Sequence, residues 1–583
     1  MMRNKVASVL MLFLLAAPLS AQDISQIAKS DPLIITGAIG TRNTYYHSSG
    51  SISYASPLSN MVYANLNVSV YGFSMPFSFY YSNDNLDFNY PHLSFNVSPR
   101  YKNWQLHFGQ STMPFSSYVM TMPFNGVGLE YQGDRLRFGM FYGRLRKAVN
   151  DDPTDPFARQ PQYKRMAWGF KVGYGSTRNY IDLYFLRAYD QQKSLDPAWN
   201  SIVRPQENVV IGLRGAVSLK NYLSFTTNAS TSLFSFDKNA TKVEDSKLQR
   251  FDKVFEPSYT SLARFAGDVN MNLSLRGFNA SVFYRILQPD YTSLGTYYLS
   301  NNYHSLGINL STLLFRRISL SASFSGQEDN LTNKQLFTTR GLVYNTNVST
   351  RLGNHFGVSA GYNGYRQMQT DGTARVNDTT RVDRIMHSLY LMPSYTTATD
   401  MFSHTVSLSG NYTRNEDLNP FSTGQTDVTT YAAGASYNVG VLPWEMDFTA
   451  SYSFQRSDGY KTRYMSDIFS LTTSRSFLKD KNLNASLTMS LCYNEMRHQM
   501  KSLSLGGDFS VGYTLNKVHA FGLTGSISKY GDVNVSKRTS SLEDTELSVG
   551  LNYTYTFSLI AIKRQVENGK KGMSVEWGRH DKK

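Results

Sequence analysis

Cysteine is nearly absent from this chain of 583 residues: Cys492 stands alone, so no internal disulfide can staple the fold. Long apolar runs are missing too. The run over residues 9–17 is too short to cross a bilayer as a helix, and nothing after it approaches the roughly 18 apolar residues a spanning helix needs. Histidines are few and scattered, and none of the ten stands at a metal-ligand spacing from another. There is no G-x-S-x-G and no compact grouping of Ser, His and Asp. The chain therefore lacks the marks of an enzyme, and neither metal nor cofactor is expected. The acidic trio Asp151, Asp152 and Asp155 lacks the ligand order of a calcium loop and reads as a solvated segment. Lys and Arg outnumber Asp and Glu by 58 to 43, but they are dispersed and carry no recognition motif, which sets nucleic acid aside. No composition shift or linker marks a domain boundary.

What the chain does have is alternation. Residues 546–559 put Leu547, Val549, Leu551, Tyr553, Tyr555, Phe557 and Leu559 on one parity, with Ser548, Gly550, Asn552, Thr554 and Ser558 on the other. Successive side chains of a strand point to opposite faces, so one face is apolar and the other small and polar. Residues 268–276 and 482–494 repeat the pattern. Aromatics are abundant, with 40 Tyr and 35 Phe, yet the mean hydropathy is −0.36. A barrel turned inside out gives this combination, with lipid on its apolar face and water on its polar one. Tight connections, such as those at residues 133–134, 220–221, 276–277 and 516–517, alternate with longer ones at 149–163, 237–261 and 368–381. The expected fold is all-β: a single transmembrane antiparallel up-and-down β-barrel of about 26 strands, within roughly 24 to 28. It has short periplasmic turns and longer extracellular loops, with the last strand closing on residues 33–46.

The termini frame that barrel. Residues 1–21 have the three parts of a secretory signal, with Arg3 and Lys5 ahead of the apolar run and Leu19 and Ala21 before a cleavage point. Residues 22–31 form a short periplasmic leader, 32–560 the barrel and 561–583 a basic periplasmic tail. The expected location is the cell outer membrane of a Gram-negative bacterium. The mature chain carries about +13 (15 − 2), which suits contact with outer-membrane lipid and lipopolysaccharide phosphates.

One segment breaks the pattern. Between residues 110 and 126, Met113, Phe115, Tyr118, Met120, Met122 and Phe124 occupy both parities, bracketed by Pro114 and Pro123. This cannot be an ordinary wall strand. Three arrangements fit: an external loop packed on itself, a loop folded into the lumen as a constriction, or a docking surface for a partner, for which methionine-rich surfaces are suited.

Around this segment the chain also resembles known proteins. The runs P-F-S-F-Y-Y-S-N (76–83), F-N-V-S-P-R-Y-K-N-W-Q-L-H-F-G (95–109), G-V-G-L-E-Y (126–131) and L-R-F-G-M-F-Y-G-R-L-R-K-A-V (136–149) are similar to a family of large Gram-negative outer-membrane barrels. More loosely, they are similar to parts of the translocon barrel of type 9 secretion. The resemblance covers roughly the first third of the chain. It implies a membrane and a fold and no catalytic residues. Barrels of 16 to 18 strands already leave an aqueous channel, so one of about 26 needs an occupied lumen. The expected function is a gated or partner-plugged conduit for solutes or polypeptides, with a plug or periplasmic protein as partner. The alternative is a non-conducting scaffold subunit of an outer-membrane assembly or secretion complex.

Overall fold

The computed structural model describes residues 33–49, 57–83, 93–150, 161–196, 203–243, 254–422, 424–478, 480–497, 500–534, 539–540, 544–567 and 570–576. The signal, the leader and the Asp151 trio lie outside them. The alternating segments pair in chain order into one antiparallel sheet, which closes as an up-and-down barrel of 26 strands. Closure is made by the first strand, Leu33–Ser48, and the last, Asp544–Glu567, with Leu33 opposite Ile562 and Ser48 opposite Glu546. Among the described residues every wall strand has a partner on both sides. Side chains seal this seam on its polar face: Arg42 Nε donates to Asn552 Oδ1 at 3.0 Å, and the Tyr63 hydroxyl lies 2.6 Å from Thr554 Oγ1. To reach Thr554 the Tyr63 ring crosses the first strand at Gly40, where a Cβ would sit 2.4 Å from the ring. A side chain there would have to displace the Tyr63 ring.

The two faces of the wall differ as the alternation demands. Outward positions such as Leu183, Ile211, Val269, Leu389, Leu471 and Leu551 are apolar and exposed. A closed barrel with such a girdle is stable only in hydrocarbon. Among the described residues no helix is long and apolar enough to cross a membrane, and the strands do the crossing.

Every tight connection expected from the sequence falls on one rim, and most of the longer ones fall on the other. An exception on the long-loop rim is the hairpin at Tyr460 and Lys461, whose two-residue turn is made possible by Lys461 at φ 57°. Phe73–Ser82 is a full wall strand despite Pro76. Its neighbour is the irregular one: it runs as Leu93–Val97, breaks at Ser98 and Pro99, and resumes as Arg100–Tyr101. A proline removes a ladder donor, and on its far side this strand meets Trp104–Ser111 through only four register pairs. Pro91 lies outside the described residues. At the opposite end, the closing strand runs on past the first strand's Leu33 to Glu567, and Lys570–Glu576 folds back along it, with Ala561 opposite Glu576.

Candidate functional site: two loops folded into the lumen

The chain leaves the long-loop rim after Ser111 and returns at Phe124. In between it folds down onto the polar-parity face of the wall. Val119 and Phe124 are fully buried, and Met113, Phe115, Tyr118 and Met120 nearly so. Met122 and Pro123 are half-buried, and Pro114 is exposed, its carbonyl accepting from Lys171 Nζ at 3.3 Å. The apolar neighbours are lumen-facing residues of successive strands, including Phe141, Ala167, Tyr184, Leu186 and Val210. Phe124 packs on Phe141 with centroids 4.6 Å apart, and Phe115 meets the same ring edge-on at 5.6 Å. The residues thus pack on the same parity of the wall as Phe141 and Val210.

The wall makes room with glycine. A Cβ at Gly128 or Gly139 would lie 3.1 Å from Met113, and one at Gly212 would lie 2.6 Å from Val119. These positions share the lumenal parity, so the wall under the segment is flat where its side chains insert. Glycine repeated on one parity (Gly126 and Gly128, then Gly139 and Gly143) is the signal in the sequence for this seat.

A second loop, residues 288–302, locks the first. Thr121 and Met122 donate their backbone N–H groups to the Gly295 carbonyl, both at 3.0 Å. The Ser293 hydroxyl donates to the Val119 carbonyl at 2.6 Å, and the Tyr291 hydroxyl to the Tyr118 carbonyl at 2.8 Å. Wall residues hold both loops from below. Asn208 receives the Leu294 N–H, Ser116 donates to Asn228, and the Tyr118 hydroxyl donates to Asp268 at 2.7 Å. Burial raises the Tyr118 hydroxyl above its ordinary pKa, with the Asp268 carboxylate adding to the effect, and burial likewise raises Tyr291. Both are neutral donors at physiological pH. Nothing in the period of residues 288–302 distinguished this loop, because its short polar side chains act through backbone contacts.

Charged groups lie beneath and beside the loops. Lys171 Nζ sits 2.6 Å from Glu130 Oε1, and His107 Nε2 lies 3.5 Å from the other carboxylate oxygen. Arg165 makes a two-pronged contact with Asp190 and adds a bond to Gln206. Arg137 pairs with Asp182 at 2.7 Å. Charges removed from water need such partners. Among the described residues no group of His, Cys, Asp and Glu is arranged to hold a metal ion.

The loops reach only part of the circumference. Their hydrogen bonds and apolar contacts go to strands between Trp104–Ser111 and Tyr303–Leu314, except that Asn302 receives the Leu331 N–H from the next rim loop. Beyond that, the lumenal face is a carpet of Ser, Thr, Asn and Gly. Ser321, Ser323, Asn345 and Asn347 line a shallow groove of about 530 Å³ with Asn272, Ser281 and Asn309. On the closing strand, Ser548, Gly550, Asn552, Thr554 and Ser558 share the parity that meets Arg42 and Tyr63. A Cβ at Gly550 would lie 2.6 Å from Thr524 Oγ1, so the neighbouring strand's hydroxyl fills that gap.

No protein-family profile matches the chain, and no curated protein matches it. Among solved structures, it is similar to OccAB2 of Acinetobacter baumannii, at 12% identity over 67% of this chain and 98% of that one, with a TM-score of 0.30. It is similar to the translocation pore of the P pilus usher PapC at 10% identity over 90% and 99%, with a TM-score of 0.35. For OccK8 (OprE) of Pseudomonas aeruginosa the figures are 10%, 68%, 98% and 0.32. Likenesses this distant leave the barrel to stand on its own strand ladder.

Proposed function

We propose that the protein is a Gram-negative outer-membrane conduit whose passage runs along the neutral wall of its C-terminal half, with the remaining space closed by a partner or by cargo. The observation that carries this reading is the one-sided reach of the inward loops. A circular barrel of 26 strands, spaced about 4.8 Å and tilted about 40°, has a backbone diameter of about 50 Å. Two loops held against one side leave most of that width to something else. A passage left empty would make the membrane leaky, so the reading requires an occupant.

The lining bears on what passes. Hydroxyls and carboxamides without a dominant charge favour bulky neutral or mixed-charge polar cargo over small ions of one sign. A polypeptide is one such cargo, in keeping with the resemblance of the first third to a translocon barrel. The short turns then face the periplasm and the long loops the exterior.

The test is conductance of the purified chain in planar bilayers. The expected result is large, weakly ion-selective openings, increased further when residues 112–123 are replaced by a short Gly-Ser turn. A protein that inserts in folded form yet conducts in neither version sinks the reading in favour of a scaffold.

A further inference from the structure

The cations of the short-turn rim cluster on one arc. Six consecutive turns carry Lys102, Arg135, Arg178, Lys220, Arg276 and the pair Arg316-Arg317, all exposed, with Asp134 as the one acid among them. None of the seven cations makes an ion pair with a described residue. On the long-loop rim several cations are paired: Arg340 with Glu328, Arg366 with Asp383, and Arg456 and Arg463 with Asp458. The other arc of the short-turn rim differs as well. Its turns carry Asp400, Glu445 and Asp480 against Lys517 and Lys481, the latter paired with Glu445 at 3.0 Å, and Met401, Leu442 and Trp444 are exposed.

The level of the cations is set by their neighbours. Trp104, Leu136, Tyr174, Leu219, Leu275 and Leu314 stand within a few residues of them, apolar, exposed and outward, and Phe315 beside Arg316 is 86% exposed. Aromatic and apolar side chains of this kind mark the edge of the hydrocarbon, and Lys and Arg just beyond it reach the head groups. These turns are too short to stand clear of the membrane as a docking surface for a protein.

We infer that this arc binds anionic phospholipid head groups of the leaflet on the short-turn side. The unpaired cations supply the attraction and the exposed apolar neighbours fix their depth. Zwitterionic lipids, which offer no net charge, are bound less well. The inference is independent of the conduit reading, because it uses the outside of the barrel and would hold equally for a scaffold.

The experiment uses the full chain reconstituted in vesicles of phosphatidylcholine alone or phosphatidylcholine doped with phosphatidylglycerol. It is then extracted in neutral detergent and examined by native mass spectrometry for retained lipid. The wild type is expected to retain phosphatidylglycerol in preference to phosphatidylcholine. The combined variant K220Q, R276Q, R316Q and R317Q is expected to lose that preference, each removed charge weakening retention by a factor of about five. The variant K481Q on the opposite arc is expected to retain it in full. Equal retention by the arc variant and the wild type overturns the inference, and so does equal loss in K481Q, which would mean diffuse attraction. Photocross-linking from position 316 in intact cells that captures an acidic protein instead of lipid also overturns it. Folding of each variant is checked by the heat-dependent shift in gel mobility, and unchanged conductance separates loss of lipid from any failure of the conduit.

Discussion

The strands between Trp104 and Leu314 and those between Ile318 and Ser558 share one ladder and one kind of outward face, but their interiors are built differently. In the earlier strands of the first group, up to Arg165–Gly175, the lumenal parity alternates glycine with large or charged residues, such as Gly128, Glu130, Gly139, Phe141 and Lys171. In the second it runs through Ser, Thr and Asn. Glycines give side chains somewhere to insert, and paired charges give backbone groups something to bond. Serine serves a loop where one reaches it, as Ser232 does by donating to the Thr292 carbonyl, but in the second group the hydroxyls bond to neighbours on the wall, as Ser451 does with Ser470 and Thr472 with Thr488. Whether a loop docks inside a wide barrel is therefore decided by the lumenal face, not by the loop alone.

The largest effect is expected where charge lies under the docked loop. Lys171→Met leaves Glu130 buried with only His107 nearby, and breaking a buried pair from one side costs about 3–5 kcal/mol. The comparison is with Asn345→Ala on the bare wall, which should change stability by no more than about 0.5 kcal/mol. Urea-unfolding midpoints of the two variants in the same vesicles measure the contrast. Equal shifts would show that the interior of the first group is no more tightly built than that of the second.

Phe124→Ala removes a fully buried ring that packs on Phe141, at a cost of about 3–5 kcal/mol. Tyr365→Ala, a truncation on the second group's exposed lumenal face, should cost under about 1 kcal/mol. The same midpoints sharpen the comparison for apolar packing alone. Next comes the seat. Gly212→Val places carbon where Val119 already lies at 2.6 Å, an overpacking cost of about 1–3 kcal/mol that is most readily relieved by lifting the loop. Limited proteolysis should then cut within residues 112–123 of the variant while sparing the wild type, and an uncut variant would mean that the wall yields instead.

Much of this molecule was legible before its structure. Period-2 alternation sets the strands, Gly, Asn and Lys-rich turns set one rim, and a segment apolar on both parities had to leave the wall. The direction it took was not legible. Residues 112–123 carry no information about the partner loop, since the bonds from Thr121, Met122 and Ser293 fall on backbone carbonyls, which every residue possesses. The pairs Lys171–Glu130 and Arg165–Asp190 were hidden for a related reason: register brings together residues 41 and 25 positions apart, a distance that no local pattern encodes. The outward loop was missed as well. Phe255, in the long loop after Phe234, is buried against Val209 and Leu233 on the outer face, where the sequence showed only one of the longer connections.

The smallest effect concerns the clasp between the two loops. Tyr291 donates its hydroxyl proton across it and Tyr118 donates to Asp268 on the wall beneath, and burial raises both above the usual tyrosine value. An unfolded tyrosine ionises near pH 10. Below that the folded and released states both keep their protons, and the clasp has its full strength. Above it the released state sheds protons that the folded state retains, so the clasp weakens steadily as pH rises toward the folded values. Wild-type protein should become cleavable within residues 112–123 as the pH rises above about 10, while the rims elsewhere keep their protection. Tyr118→Phe with Tyr291→Phe should be cleaved somewhat faster at neutral pH, because Asp268 and the Tyr118 carbonyl lose donors, and should show no alkaline step. An alkaline step that survives in the double variant would place the titrating group elsewhere and remove these two hydroxyls from the account of how the loops are held.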